Sequence, residues 1–151
     1  MSMSPTSSPA GGLTPITETV TLTAYAALSK GDLVAISTVV TDGRFATSIS
    51  VANALVLTSD NGVGIFAVAL ETIASGATGR FAVAGIVDVL IEGTPALGTA
   101  MSAQGGAGGK DAVTAVVNDK ILGYMLELVA SDGDVGSMMF DGYNGFGIKG
   151  S

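Results

Sequence analysis

The chain has 151 residues, with thirteen acidic and six basic side chains, a net charge of −7, no histidine and no cysteine. That length suffices for one domain with a core, while the missing residue types exclude Ser-His and Cys-His nucleophiles, the usual zinc ligands and a disulfide framework. Scattered cations on an acidic chain argue against nucleic acid and anionic lipid as partners, and no apolar run approaches the ~20 residues of a helical membrane span.

The opening stretch, MSMSPTSSPAGG, has neither a basic region nor an apolar run and does not read as a secretory signal. Residues 1–15 read as an extended arm, with Pro5, Pro9 and Pro15 among Ser, Thr and Gly and with Leu13 as one of its few large apolar groups. From Ile16 to Thr23, threonines occupy every odd position, while Ile16, Val20 and Leu22 point the other way. That is the period of a half-buried strand. Asp42-Gly43, between ISTVVT and RFATSI, is a strong hairpin signal. Ala54–Thr58 and Gly64–Glu71 are further strand candidates. Over Arg80–Glu92, Phe81, Val83, Val87, Val89 and Ile91 are expected to share one face, with Gly85 a bulge. Pro95-Ala96-Leu97 could begin a short helical turn.

The stretch QGGAGGKD, residues 104–111, invites comparison with a nucleotide P-loop. Gln104 stands where that motif needs its first glycine, and Asp111 where it needs a hydroxyl. The β-branched stretch that follows is too short for the required helix. A surface loop is the better reading. Ala112–Val117, Ile121–Val129 and Val135–Phe140 complete the strand candidates, and residues 141–151 form an irregular glycine-aromatic tail. Closely spaced strands with Gly-rich turns predict an all-β domain over 16–140, a small β-barrel or β-sandwich.

A weak internal repeat runs through this pattern. Leu70-Glu71-Thr72-Ile73-Ala74-Ser75 matches Leu126-Glu127-Leu128-Val129-Ala130-Ser131, and each is followed by a glycine turn and a strand. Looser versions occur at Ala27–Val34 and Pro95–Met101. Glu71 and Glu127 therefore stand at equivalent places. As a catalytic carboxylate pair they would want an aromatic-lined sugar cleft, and the chain has no Trp and eight aromatic residues in all. Each is better read as capping the outer face of a strand end. Asp132-Gly133-Asp134 lacks the ligand spacing of a calcium loop and reads as a solvated turn. Met101 and Met125 fit core filling, and Met138-Met139, next to the tail, also suggests an interface. Charged residues are only 13% of the chain, against ~25% in ordinary proteins. That shortfall on an apolar chain points to a surface covered by other protein; the alternative is a soluble monomer coated in Thr, Ser and Ala.

The segments AALSKGDLVAI, VGIFAVALETIASGATGRFAVAGIVDVLIEG, ALGTAMS and ILGYMLELVASDGDVGSMMF together resemble the small Ala/Gly/Val-rich capsid decoration, or cement, proteins of tailed bacteriophages. The resemblance covers roughly residues 20–140 and consists of a turn with Gly-Asp followed by an L-E-x-x-A-S segment, repeated near the end. It implies a β-barrel or β-sandwich that binds the outside of an assembled icosahedral head, often as a homotrimer. The implied partners are the major capsid protein and the chain itself; the implied place is the outer surface of the virion, after synthesis in the host cytoplasm. No cofactor and no enzymatic activity are expected. The candidate contacts with shell or neighbour are Pro5, Pro9 and Leu13 of the arm and Tyr143, Phe146 and Ile148 of the tail. The strands flanking Asp42-Gly43 look like an insertion relative to the shortest members, and the tail has no counterpart. The alternative is a β-sandwich carbohydrate-binding or adhesin module, which Tyr25, Tyr124 and Tyr143 on one concave face would favour.

Overall fold

A computed structural model describes residues 17–24, 26–36, 48–50, 65–103, 111–143 and 145–150. It is all-β over these residues. The strands are β1 (Thr17–Ala24), β2 (Leu33–Ile36), β3 (Ser48–Ser50), β4 (Phe66–Ala69), β5 (Thr78–Leu90), β6 (Ala100–Ala103), β7 (Ala112–Thr114), β8 (Gly123–Met125) and β9 (Val135–Asp141). They form one barrel-like sheet in the order β1-β3-β2-β4-β5-β9-β8-β6-β7, and β1 also pairs with β5. The extra pairing closes a first ring of β1, β3, β2, β4 and β5.

The second half repeats the same pattern. In the first ring β1 runs parallel to β3, and the other neighbours are antiparallel. Beyond Leu90 the chain bridges Ala112 of β7 in parallel through Ile91, and Glu92 N–H donates to Ala112 C=O at 2.9 Å. The remaining pairs, β7–β6, β6–β8, β8–β9 and β9–β5, are all antiparallel. β5 is thus the last strand of one ring and the first of the next.

The repeat seen in the sequence is the local device that makes this possible. Four chain reversals, at residues 29–32, 74–77, 96–99 and 131–134, each close with a bond from the fourth N–H to the first C=O, between 3.0 and 3.2 Å. The third residue of each is glycine with φ between +76° and +96°, a region that a Cβ disfavours. After the better-matched pair of turns, Leu70 N–H reaches Arg80 C=O at 3.0 Å and Leu126 N–H reaches Ser137 C=O at 2.9 Å. Ile73 then lies over Gly79, and Val129 over Gly136, close enough that a Cβ on either glycine would strike the branched side chain.

Each ring has its own core. Phe81, Val83, Leu22, Val34, Ala67 and Ile73 fill the first. Phe140, Met138, Met125, Leu122, Met101, Val87, Val89 and Ile91 fill the second, together with Leu33, Phe66 and Val68 from the opposite face of β2 and β4. Burying each of these larger side chains contributes about 1.5–3 kcal/mol. The expectation that Phe81, Val83, Val87, Val89 and Ile91 share one environment is therefore corrected: the first two serve one core and the last three the other. The register explains the switch. Glu18 pairs with Ala84 and Thr19 with Ala82, so Val83 is skipped, and Gly85 has φ +116°. The irregularity expected near Gly85 slips the strand by one residue, and odd positions pass from one core to the other.

Pro95–Leu97 starts no helical turn; it leads into the 96–99 reversal, which delivers β6, a strand the sequence reading did not separate. β2 and β3 pair antiparallel, Ala35 with Ser50 and Ile36 with Ile49; Asp42-Gly43, Ala54–Thr58 and the arm 1–15 lie outside the described residues. So do residues 104–110 of QGGAGGKD. The C-terminal segment has no named strand after Asp141, yet it is well bonded. Gly142 N–H donates to Val83 C=O and its C=O accepts from Phe66 N–H, both at 2.9 Å. Phe146 N–H donates to Ile121 C=O, Ile121 N–H to Gly147 C=O and Lys149 N–H to Asp119 C=O, each at 2.8 Å.

Candidate interaction surface

β9 alternates strictly. Gly136, Met138 and Phe140 face the second core, while Val135, Ser137, Met139 and Asp141 face outward. The adjacent methionines therefore part company: Met138 is fully buried and Met139 is 39% exposed. Met101 and Met125 are buried, as core filling requires.

Across the outer face, register lines up one row of side chains. Ile86 of β5 pairs with Met139 of β9, and Met139 with Tyr124 of β8. Side chains on directly opposed residues of one face lie close enough to touch. The C-terminal segment extends the row, because the Phe146 ring meets Tyr124 edge-on with centroids 5.3 Å apart and planes at 68°. Its position is set by the backbone bonds to Ile121 and by Gly145, which packs against Ile121 C=O at φ +67°. Phe146 is still 41% exposed.

Carboxylates border this row. Asp88, paired in register with Ser137, accepts from the Ser137 hydroxyl at 2.7 Å, and Glu127 accepts from the same hydroxyl at 3.4 Å. On the other side Asp141 accepts from Tyr143 N–H at 3.0 Å. The row opens at Ile86 into a half-open groove of about 350 Å³, whose other wall carries Lys30, Leu70 and Arg80. Arg80 is engaged there: its backbone N–H and Nε both donate to Glu71, at 3.0 and 3.2 Å. Those two bonds, the backbone one first, hold the Glu71 carboxyl below its ordinary range.

Glu71 and Glu127 are thus counterparts in geometry as in sequence. Each reaches the residue just after the glycine of the following strand, Arg80 or Ser137, and each ties a turn to a strand. Asp132 accepts from Gly93 N–H at 2.7 Å and joins its turn to the segment after β5.

Of the contact candidates read from the sequence, Tyr143, Phe146 and Ile148 lie on one short segment, all exposed. Only Phe146 is joined to the row. Ile148 bridges Lys120, whose Nζ donates to Tyr143 C=O at 3.3 Å. Pro5, Pro9, Leu13 and Tyr25 lie outside the described residues. Ile86 and the separation of Met139 from Met138 were missed. The period-2 pattern of β9 could have found the second.

No protein-family model matches the chain, and no curated protein matches it. Among solved structures, the fold is similar to that of the N base of the head fiber gp8.5 of bacteriophage phi29. The TM-score is 0.56 at 19% sequence identity, with 85% of this chain and 98% of that chain covered. At that identity the likeness is one of fold.

Proposed function

We propose that this chain is a structural protein of a tailed-bacteriophage head, binding the outer surface of the assembled shell, as a homotrimer, and stabilising it. The observation that carries the reading is the fold likeness to a head-fiber base, which extends over nearly all of that chain. Composition points the same way, since few charges leave an apolar chain in need of a partner. So does the sequence resemblance to decoration proteins, which rests on different features.

Such a protein works by mass action. It binds the assembled lattice and not the free subunit, so every occupied site shifts the equilibrium toward the intact shell. The partners would be the major capsid protein and two further copies of the chain, and the place the outside of the virion, after synthesis in the host cytoplasm. Pro5, Pro9 and Leu13 would contribute through the arm, whose Pro-, Ser- and Gly-rich composition suits an extended contact with a partner. No reaction is assigned to any residue.

The test is occupancy. Purified protein is titrated against expanded and unexpanded heads of the phage that encodes it, and copies per head are counted. Light scattering gives the oligomeric state, free and bound. The reading expects saturable binding to expanded heads, a trimeric stoichiometry and a higher disruption temperature for decorated heads. A stable monomer that ignores expanded heads sinks it.

A further inference from the structure

Register gathers three exposed apolar side chains around one residue of β9. Val135 and Met139 stand two positions either side of Ser137, and all three point outward. Leu126 joins them, because its N–H donates to Ser137 C=O from the β8 side. Val135, Leu126 and Met139 are all exposed. Single apolar residues on a surface are ordinary, but a contiguous group marks an interaction site. Ser137 shows what this group lacks. Its hydroxyl donates to Asp88 at 2.7 Å and lies 3.4 Å from Glu127. A hydroxyl has one proton, so two carboxylates converge on a single donor. Among the described residues neither carboxylate stands in an ion pair. Two negative charges brought together in this way favour a cation beside them.

Cations of the right kind stand on the same face of the same chain. Lys30 and Arg80 line the groove that Asp88 and Ser137 also line. Both are exposed, and Arg80 stays so although its Nε donates to Glu71. The turn that carries Lys30 is fixed at the border of the apolar group. Gly31 C=O accepts from Leu90 N–H of β5 at 2.9 Å, and a Cβ on Gly31 would lie 3.2 Å from Val135 Cγ2. Lys30 is thus on the β5 side of β9, and Glu127, next to Leu126, on the β8 side. We propose that the occupant of this face is a second copy of the chain. Val135, Leu126 and Met139 meet their counterparts, while Lys30 and Arg80 of one copy approach the two carboxylates at Ser137 of the next. A face with an apolar centre and both signs of charge around it is complementary to itself. Rotation about a threefold axis sets the Lys30 side of each copy against the Glu127 side of its neighbour. The number of copies rests on the function proposed above; the contact itself does not.

The experiment is sedimentation equilibrium of the full chain, without heads, over a range of protein concentration and salt. Wild type should self-associate, and less so from about 0.1 to 1 M NaCl as the screening length falls from about 10 to 3 Å. Leu126→Ser and Met139→Ser should each weaken association about tenfold or more. Lys30→Glu and Glu127→Lys should each weaken it, and the double variant, which exchanges the two charges, should recover it. Glu18→Gln, exposed on β1, is the control, and urea midpoints check that each variant is folded. A charge exchange that associates no better than its two parents refutes the pairing of Lys30 with Glu127. Unchanged association in both centre variants shows that the face is wrong. Centre variants that associate normally but no longer bind expanded heads assign the face to the shell and overturn the proposal. A wild type that is monomeric at every concentration overturns it too, and head binding by that monomer leaves the head-protein reading in place. A wild type that associates through this face yet binds no head keeps the contact and removes the function.

Discussion

Gly79 and Gly76 stand three residues apart and need to be glycine for opposite reasons, which one mutational cycle can separate. A Cβ at Gly79 would meet Ile73 Cδ1, and Cγ1 at 2.5 Å, yet its φ lies outside the left-handed range. A Cβ at Gly76 meets nothing within 4 Å, but φ there is +80°. Gly79→Ala thus perturbs the folded state through packing alone. Overpacking costs about 1–3 kcal/mol, reduced by about 0.4–1 kcal/mol because alanine stiffens the unfolded chain. Ile73→Ala, at a site only 3% exposed, should cost about 2–5 kcal/mol. In the double variant the new methyl occupies space that Ile73 vacates. The pair should therefore be more stable than the sum of the singles by about 1–3 kcal/mol. Gly76→Ala should cost about 1–2 kcal/mol through its backbone alone and be additive with Ile73→Ala to within about 0.5 kcal/mol. Urea unfolding reads all five proteins as shifts in midpoint at unchanged slope. Additivity of Gly79→Ala with Ile73→Ala would refute the close approach. Since Val129 and Gly136 repeat the arrangement, it would also undercut the matched architecture of the two rings.

Gly142→Ala should be among the most damaging single changes, about 3 kcal/mol or more, because its methyl would strike the Phe66 carbonyl, a backbone group that cannot turn aside; thermal melting of the purified variant checks it. For Glu71 the folded carboxyl is held below the ordinary glutamate value, first by the Arg80 backbone N–H and then by its guanidinium. Its contribution is present above that value and disappears as pH falls through the lowered one. Wild type should exceed Glu71→Gln in stability at neutral pH, and the two should converge in acid; a constant difference across urea titrations from pH 7 to pH 3 would contradict this. Lys110→Ala should change stability by no more than about 0.5 kcal/mol and leave nothing for a nucleotide to lose; magnesium-dependent nucleotide binding abolished by the change would show a phosphate site in QGGAGGKD. Deleting residues 1–15 should leave the melting temperature nearly unchanged and lower head occupancy, with loss of folding as the contrary result.

What the chain determined by itself is local. Period-2 alternation marked β1 and β5, and the L-E-x-x-A-S segments announced two equivalent turns, because a glycine in the left-handed region and a branched residue packed on a later glycine are requirements written within about ten residues of each other. The one-residue slip near Gly85 was also legible. What it did to the core was not, since alternation reports which residues share a side and not which ring that side closes on. Only the tertiary structure decided that Val83 and Val87 serve different cores, that β1 and β3 pair in parallel, and that the glycine-rich segment after Asp141 runs beside residues 118–121 and sets Phe146 on Tyr124. Each of these depends on strands distant in the chain meeting in one register. That choice is made by the sum of two packed cores, and no single stretch of residues contains it.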